Sequence, residues 1–442
     1  MKRSRRQFFA TATGAAAAPL ILPHGLKGAD DAPEQKPLRM GFIGMGRQNR
    51  GLLRNFMSHG SHVVAVCDVD ATRLADAKKS VDEQNAKNEL DLECVATTNY
   101  EDITSRDDID AVCIATPDHW HAIPTVAALR NGQDVYCEKP LTHNIFEAVT
   151  VIDEVKKTGR VLQTGSMQRS SKEFRVACEL VRNGVIGEIE RVSVNFGDPG
   201  IPYDLEAEEM EPGLDWDRWL GPAPEFSYNS TLSPRGLHNH FPHWRKFREF
   251  GGGMVTDWGA HHLDITQWGL GMDGSGPVEV IPPEDPKAKR GCTLKYANGI
   301  TVTHEGGVGV EFYGSKGIVQ VNRGKFALTL NGEVKFKSLS SEDPSVTSQY
   351  TLAEREYLAD AEIKLYKSPG HVPDFLNSVA DRSKPITDEV VGAGSAICCH
   401  LMNIGYYYNA NVKWDPATNQ FAEGTGNPAW LTRDYRSPYS FS

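Results

Sequence analysis

The chain has 442 residues, of which 40% are hydrophobic and 24% are charged, close to the averages of globular proteins. This length exceeds what one ordinary hydrophobic core supports, so we expect two domains. The 47 basic and 58 acidic residues give a net charge of −11, which disfavours a nucleic-acid or anionic-membrane partner and favours a small neutral ligand. Beyond the N-terminus, no apolar run reaches the roughly 20 residues of a membrane span.

Residues 1–30 form a predicted targeting segment. Ser4, Arg5, Arg6 and Phe8 lie in a basic stretch with twin arginines, and an uncharged, alanine-rich stretch follows up to Pro23. This pattern resembles a twin-arginine export signal. It predicts the twin-arginine export machinery as a partner and a periplasmic location, and the alternative is a basic tail without a targeting role. No clear A-x-A cleavage site is present, so the start of the mature protein stays open.

Short apolar runs alternate with helix-like segments over residues 36–165. The runs LRMGFIG, HVVAVCD, DAVCIAT, DVYCEK and VLQTG are apolar almost throughout. Such runs are expected of strands that are buried on both faces of a parallel sheet, with helices between successive strands. The sequence therefore predicts an α/β chain with an N-terminal Rossmann domain.

The first predicted strand leads into the glycine-rich sequence GFIGMGRQNRG, residues 41–51, in which Asn49 replaces the third glycine of G-x-G-x-x-G. Glycines here permit a tight turn into the first helix, whose backbone N–H groups can bind a pyrophosphate. An acidic residue ends the second strand, 24 residues after the first turn glycine, where it can accept hydrogen bonds from a ribose diol. These features predict a dinucleotide cofactor that contacts Gly44, Met45, Gly46, Arg47, Gln48 and Asp68.

Asp68 favours NAD over NADP, because a carboxylate repels a 2′-phosphate. Arg47 and Arg73 are nearby cations that weaken this preference. We therefore expect NAD, with NADP as the alternative.

The fourth and fifth strands end in ATPDHWH, residues 115–121, and YCEKP, residues 136–140. Ligands of open α/β sheets bind beyond the carboxyl ends of the strands, so we expect both segments beside the nicotinamide. A lysine at the end of a buried strand is costly unless it has a partner or a function. The alternative for this lysine, Lys139, is that it reaches solvent or pairs with Glu138. The predicted cofactor contacts from this region are Thr116, Pro117, His119, His121, Glu138, Lys139 and Gln168.

Residues 166–416 are predicted to form a substrate-binding and catalytic domain of the α+β class. A loop rich in Pro, Trp, Arg and His covers residues 198–253, and loops of this length usually serve function. A helix is expected over residues 254–270. Strand-like runs with glycine and asparagine turns follow, which is typical of an open, mainly antiparallel sheet. Residues 417–442 have no clear pattern and are predicted to be an irregular tail.

The helix after the long loop begins in GGGMVTDWGAHHLD, residues 251–264. Asp257 and His261 are four residues apart, so the carboxylate is expected to orient the imidazole and raise its basicity. The alternatives are a purely structural pair and a metal site. The histidines available for a metal site are His238, His240, His243 and His262. We expect catalysis and no metal.

Side chains with flat apolar faces or hydrogen-bond donors around these motifs suit a carbohydrate. The predicted substrate contacts are Gln168, Arg169, Arg235, His240, Trp244 and Trp258. Tryptophans also fill cores, so a packing role is the alternative for each of them. The eight cysteines fit no zinc pattern, and we predict no disulfide.

Together, GFIGMGRQNRG, CDVD, ATPDHWH, YCEKP and GGGMVTDWGAHHLD resemble the glucose-fructose oxidoreductase / inositol dehydrogenase / MocA (Gfo/Idh/MocA) family, and in particular an exported bacterial subgroup. The resemblance runs from about residue 38 to residue 416. It implies a Rossmann domain followed by a domain whose open sheet covers the nicotinamide. It also implies that Lys139, Asp257 and His261 form the catalytic group, and that homo-oligomers form through that sheet.

We therefore expect an NAD(P)-dependent oxidoreductase that moves a hydride between the cofactor and a hydroxyl or ketone of a sugar or polyol. His261 is expected to act as acid/base, Asp257 to orient it, and Lys139 to stabilise the developing alkoxide. Because free nicotinamide nucleotide is scarce outside the cell, we expect an exported enzyme to hold its cofactor tightly and restore it in place. The alternatives are a redox-neutral, NAD-dependent enzyme that cleaves glycosides after transient oxidation, and a non-enzymatic NAD- or sugar-binding protein.

Overall fold

The computed structural model of the protein describes residues 36–441, so the predicted export signal lies outside the described residues. The first sheet has six strands in the order β3-β2-β1-β4-β5-β6, and all neighbouring strands run parallel. This confirms the predicted Rossmann sheet. The strands are β1 (Arg39–Ile43), β2 (His62–Cys67), β3 (Val95–Thr97), β4 (Ala111–Ile114), β5 (Asp134–Cys137) and β6 (Leu162–Thr164).

Helices connect these strands, and local sequence determines where they begin and end. The side chain of Asp70 accepts hydrogen bonds from two backbone N–H groups at the start of α2, and the side chain of Asn144 accepts one at the start of α5. Gly159 ends α5 in the left-handed conformation. The helices are α1 (Arg47–Ser58), α2 (Ala71–Lys87), α3 (Glu101–Thr104), α4 (Ala122–Arg130) and α5 (Ile145–Thr158).

The second sheet has ten strands in the order β14-β13-β12-β11-β7-β10-β9-β8-β15-β16. β7 and β10 run parallel, and the other neighbouring strands run antiparallel. The predicted open, mainly antiparallel sheet is thus confirmed. The strands are β7 (Ile189–Val194), β8 (Glu279–Ile281), β9 (Thr293–Lys295), β10 (Thr301–His304), β11 (Val310–Gly314), β12 (Gly317–Asn322), β13 (Lys325–Leu330), β14 (Glu333–Ser338), β15 (Val412–Asp415) and β16 (Gln420–Ala422).

Seven further helices follow α5 along the chain. They are α6 (Lys172–Arg182), α7 (Trp216–Leu220), α8 (Met254–Asp257), α9 (Gly259–Leu270), α10 (Val346–Tyr357), α11 (His371–Asp381) and α12 (Glu389–Tyr408). α12 packs against both α5 and α9 and is buried along most of its length, so it joins the two halves of the fold. Within residues 36–441, no helix combines the length and the apolar character needed to cross a membrane.

Two segments differ from the predictions. The helix expected over residues 254–270 is divided at Trp258 into α8 and α9. The tail, predicted to be irregular, contains β16 and a short 3-10 helix, Pro428–Leu431. β16 is only three residues long and pairs with β15, so its strand conformation depends on a tertiary partner rather than on a local pattern.

Candidate active site

The glycine turn after β1 leaves room for a ligand at the start of α1. Gly44 has a φ of +80°, and a Cβ at this position would lie 2.9 Å from the backbone of Thr116. Any side chain at position 44 would therefore be strained and would clash with the segment after β4. Gly46 is the N-cap of α1, and no atom lies within 4 Å of where its Cβ would be. The free N-terminus of α1 fits a pyrophosphate.

The side chain of Asp68 stabilises this turn through hydrogen bonds. One carboxylate oxygen accepts a hydrogen bond from Met45 N at 2.6 Å, and the other accepts one from Asp70 N at 2.9 Å. Burial raises the pKa of Asp68, although Arg73 and the two backbone N–H groups oppose this effect. Each oxygen keeps a lone pair for a ribose hydroxyl. Asp68 thus has a structural role in addition to the predicted ribose contact.

A cleft of about 440 Å³ opens in front of the turn. Its size and its position at the carboxyl ends of the strands fit a dinucleotide. The buried hydroxyl of Thr116 has no hydrogen-bond partner among the described residues and is free to bind a ligand. The predicted residues that line the cleft are Gly44, Gly46, Arg47, Gln48, Asp68, Thr116, Pro117 and Trp244.

Lys139 extends from the segment after β5 to the last residue of α8. Its Nζ donates to the Asp257 carboxylate at 2.5 Å and to the Asp257 backbone carbonyl at 2.9 Å. Arg245 Nε lies 3.4 Å from the same carboxylate oxygen. Burial raises the pKa of Asp257, but the Lys139 and Arg245 cations outweigh burial and lower this pKa below its ordinary value. The alternative pairing of Lys139 with the Glu138 carboxylate does not form.

His261 lies one helical turn after Asp257 and is buried. Burial, reinforced by the Lys139 and Arg323 cations, lowers the pKa of His261 well below its ordinary value, so the ring is neutral. Its Nδ1 has no hydrogen-bond partner among the described residues. The prediction that Asp257 orients His261 is therefore wrong, because the Asp257 carboxylate pairs with Lys139 and Arg245 instead.

Glu138 connects β5 to α1. One of its carboxylate oxygens accepts a hydrogen bond from Gln48 Nε2 at 2.8 Å, and the other faces Lys139 N at 3.3 Å. Burial raises the pKa of Glu138. These contacts place both predicted cofactor residues, Gln48 and Glu138, at the junction of the cleft and the Lys139 site.

Comparison with known families identifies the fold. Residues 38–166 match a family model described as an oxidoreductase family with an NAD-binding Rossmann fold, and residues 200–441 match the model of the C-terminal alpha/beta domain of that oxidoreductase family. The chain belongs to the Gfo/Idh/MocA oxidoreductase family. The predicted family and its NAD-binding fold are therefore confirmed.

Relatives of this Gfo/Idh/MocA protein include a glycosyl hydrolase family 109 protein from Shewanella pealeana, which is 27% identical over 205 residues. That stretch covers 43% of this chain and 45% of the relative, so the match spans less than half of the relative. The WlbA dehydrogenase from Bordetella pertussis, solved with NADH and UDP-GlcNAcA, has a TM-score of 0.57 at 15% identity, with 86% of this chain and 99% of that chain covered. An aldose-aldose oxidoreductase from Caulobacter crescentus, solved with glycerol, has a TM-score of 0.54 at 16% identity, with 86% and 100% covered. These structures share the fold.

Two histidines that were predicted to contact the cofactor of this Gfo/Idh/MocA protein contact other protein groups instead. His119 lies in a 3-10 turn, Asp118–Trp120, and its side chain is not part of the cleft lining. Its ring packs on Trp219 and Phe250. The prediction for His119 is thus wrong. His121 places Nδ1 at 2.7 Å from Pro140 O and Nε2 at 3.0 Å from Thr116 O, so its ring holds the ends of β4 and β5 together.

Arg169, predicted to contact substrate, is instead a buried structural cation. It pairs with Asp264 at 2.8 Å and with Asp273 at 2.7 Å, and only 2% of its side chain is exposed. The Asp264 carboxylate also accepts a hydrogen bond from Ser395 Oγ at 2.9 Å. Each guanidinium nitrogen of this buried side chain donates to Asp264 or Asp273, so the prediction for Arg169 is wrong.

The other predicted substrate residues are divided between two places. Arg235 and His240 line a separate surface depression, and Arg235 donates to the backbone carbonyl of Glu209 at 2.6 Å, so neither residue lies in the cleft. Gln168 is buried, and neither of its amide atoms has a hydrogen-bond partner among the described residues. Trp258 packs its ring 6.1 Å from that of His261. The ligand contacts predicted for Gln168 and the substrate contact predicted for Trp258 therefore stay predictions.

Sequence reasoning missed two contributions to this site. Arg323 lies in the turn between β12 and β13, with its guanidinium carbon 4.7 Å from the centroid of the Trp258 ring. An arginine in a hairpin turn has no sequence feature that points to catalysis. Residues 438–440, in the predicted irregular tail, line the cleft.

Within residues 36–441, no group of three His, Cys, Asp or Glu side chains is placed to hold a metal ion.

Proposed function

We propose that the protein is an NAD-dependent oxidoreductase that moves a hydride between the cofactor and a CH–OH group or ketone of a sugar or polyol. The observation that carries this proposal is the Lys139–Asp257 ion pair beside His261, next to a glycine turn built for a dinucleotide. The WlbA dehydrogenase was solved with UDP-GlcNAcA, and the Caulobacter relative is an aldose-aldose oxidoreductase. These names favour a carbohydrate over other alcohols.

The chemistry follows from the protonation states of the three residues. Bound NAD supplies the hydride acceptor or donor. The Lys139 ammonium, held by Asp257, donates a hydrogen bond to the reacting oxygen and stabilises negative charge on it. The neutral imidazole of His261 accepts the hydroxyl proton as the hydride leaves carbon, and in reduction it returns a proton. Arg245 supports this arrangement by fixing the Asp257 carboxylate.

The His261→Ala and Lys139→Met variants test this mechanism. We expect each to lower kcat by about 10²–10⁴-fold, because each removes a proton-transfer or charge-stabilising group. NADH affinity, measured by fluorescence titration, should change much less than kcat, since the residues that line the main cleft stay in place. The exposed Tyr366 offers a control, Tyr366→Ala, that should keep wild-type turnover. Full turnover by His261→Ala would contradict the proposal.

A second candidate is a redox-neutral, NAD-dependent glycoside-cleaving enzyme. The similarity to a glycosyl hydrolase family 109 protein favours it. Incubation with an aryl glycoside separates the two functions. Release of the phenol without net oxidation of the sugar indicates cleavage, whereas an oxidised or reduced sugar whose glycosidic bond is intact indicates an oxidoreductase.

We further propose that the cofactor is tightly bound and regenerated in place. The aldose-aldose oxidoreductase, whose name pairs two aldoses, supports coupled oxidation and reduction. Mass spectrometry of the small molecules released on denaturation measures retained NAD(H). An empty protein with freely exchanging cofactor would contradict tight binding.

We also propose that the twin-arginine machinery exports the protein to the periplasm. We further propose that a homo-oligomer forms through the second sheet. The Ser4-Arg5-Arg6 sequence supports export, and the family resemblance supports the oligomer. Cell fractionation of the Arg5→Lys/Arg6→Lys double variant tests export. Unchanged periplasmic delivery of this variant would contradict the twin-arginine route. Light scattering of the purified protein tests the oligomer, and a monomer would contradict it.

A further inference from the structure

The segment 433–440, which we call the C-terminal strap, is attached to the Rossmann half of the fold at its first end. Arg433 pairs with Glu147 at 2.9 Å and donates to the backbone carbonyl of His119 at 2.6 Å. The Tyr435 hydroxyl donates to the same Glu147 oxygen at 2.9 Å. Glu147 is fully buried, so release of this end of the strap would leave a buried charge without its partner. The charge-assisted contacts therefore hold this end strongly.

The middle of the C-terminal strap is attached to α7 and to the residue that follows it. Arg436 pairs with the Asp217 carboxylate, and its Nε donates to the Gly221 carbonyl at 2.9 Å. The Asp217 side chain is 70% exposed, so this second attachment lies at the surface. The strap is therefore held between α5 and α7.

Beyond these attachments the C-terminal strap enters the cleft wall. Pro438, Tyr439 and Ser440 line the cleft. The Tyr439 ring meets the Trp120 ring edge-to-face at 5.1 Å, and Trp120 meets Tyr100 at 5.6 Å. All three aromatic residues line the cleft and form one continuous wall.

The position of this wall identifies the half of the cofactor that it meets. In a Rossmann fold the pyrophosphate lies at the N-terminus of the first helix, here at Gly46, and the acidic residue that ends the second strand, here Asp68, binds the adenosine ribose. The adenine therefore lies beyond Asp68, toward the segment after β3. Residues 98–101 of that segment line the cleft together with the aromatic wall. The nicotinamide, by contrast, faces Lys139.

We propose that the C-terminal strap is part of the adenosine-binding site: Tyr439, supported by Trp120, packs on the adenine, and the strap limits how fast the dinucleotide leaves. Aromatic side chains suit this ligand because a base stacks on or packs edge-on against them. The two attachments of the strap hold Tyr439 in place before the cofactor binds. This inference rests on the NAD-binding fold and not on the proposed sugar substrate.

Two variants of the holoprotein test the proposal without exposing a buried charge. Tyr439→Ala removes the ring from the cleft wall, and Arg436→Ala removes the surface attachment to Asp217. We expect NADH, displaced by excess NAD⁺ and followed by its fluorescence, to dissociate about tenfold faster from Tyr439→Ala, the value for loss of one aromatic contact with a base. Arg436→Ala should also release NADH faster, by a smaller factor.

A truncated ligand distinguishes adenosine binding from general loosening of the fold. Reduced nicotinamide mononucleotide lacks the adenosine half, so its affinity should be the same in wild type and in Tyr439→Ala. Tyr408→Ala is the matched control: this tyrosine also stacks on the C-terminal segment, 4.1 Å from Trp430, but lies outside the cleft lining, and the variant should release NADH at the wild-type rate. Wild-type NADH release from both strap variants overturns the proposal, and so does equal weakening of NADH and the mononucleotide in Tyr439→Ala.

Discussion

At the residue scale, the Asp257 carboxylate is shared by cations that come from different parts of the chain. Lys139 is 118 positions away, and Arg245 comes from the long loop. The family resemblance implied that Lys139, Asp257 and His261 form one group. The motifs in the sequence did not predict the pairing, because i,i+4 spacing describes only neighbours on one helix. A cation that the fold brings to a carboxylate binds it more strongly than a neutral imidazole does.

Arg323 shifts the pH dependence that we expect from His261, in addition to the larger effects of burial and Lys139. It is one of the cations that lower the pKa of His261. His261 accepts a proton only when it is neutral, so the oxidation rate falls as the pH drops through this pKa, which lies well below about 6.5 in the wild type. Removing the cation in Arg323→Gln raises the pKa of His261, so the fall in kcat/KM moves to higher pH, by up to about one pH unit.

The control for this pH profile is Arg191→Gln. Arg191 also lies over an aromatic ring, 3.8 Å from the centroid of Tyr313, but its side chain is 44% exposed on the interior strand β7, and it is not one of the cations that lower the pKa of His261. Its pH profile should match the wild type. A profile of Arg323→Gln that stays at the wild-type position would show that Arg323 does not act on the proton-transfer group.

At the element scale, five of the six Rossmann strands were predictable because each lies in an apolar run, whereas the short, largely exposed β3 lies in none of these runs. The second sheet was predictable because its turns contain glycine and asparagine. Elements whose conformation depends on distant partners were not predictable. The three-residue β16 exists because it pairs with β15. The 3-10 turn Asp118–Trp120, which withdraws His119 from the cleft, depends on the aromatic cluster formed by the long loop.

The ion pair of Arg169 with Asp264 joins the turn after β6 to α9, which carries His261. The exposed fractions of the two side chains are 2% and 0%. Arg169→Ala leaves Asp264 buried without its cation, so we expect the free energy of unfolding, measured by urea denaturation, to fall by about 3–5 kcal/mol.

The exposed pair of Arg191 with Glu305 provides the control for this stability measurement, since its side chains are 44% and 43% exposed. Arg191→Ala should change the free energy of unfolding by no more than about 1 kcal/mol. If Arg169→Ala instead raised KM while keeping wild-type stability, the substrate contact first predicted for Arg169 would be correct.

At the scale of the whole molecule, the cofactor site is assembled from parts that are distant along the chain. The glycine turn and Asp68 come from the first 70 residues, Trp244 from the long loop and Tyr439 from the last segment. The first part carries a recognisable motif, so its function could be predicted. The last part consists of ordinary Tyr, Pro and Arg residues, whose role depends on where the complete fold places them.

The same fold buries every thiol of the chain. All eight cysteines are free and buried, and burial raises the pKa of Cys94, Cys292 and Cys398 to about 12. The thiolate is the reactive form, so a thiol reagent should modify none of the eight cysteines of the native protein within minutes. After unfolding in guanidinium without reductant, all eight should react. A lower count in the unfolded protein would show that some of these cysteines had formed disulfides, which would mean that the folded core had opened.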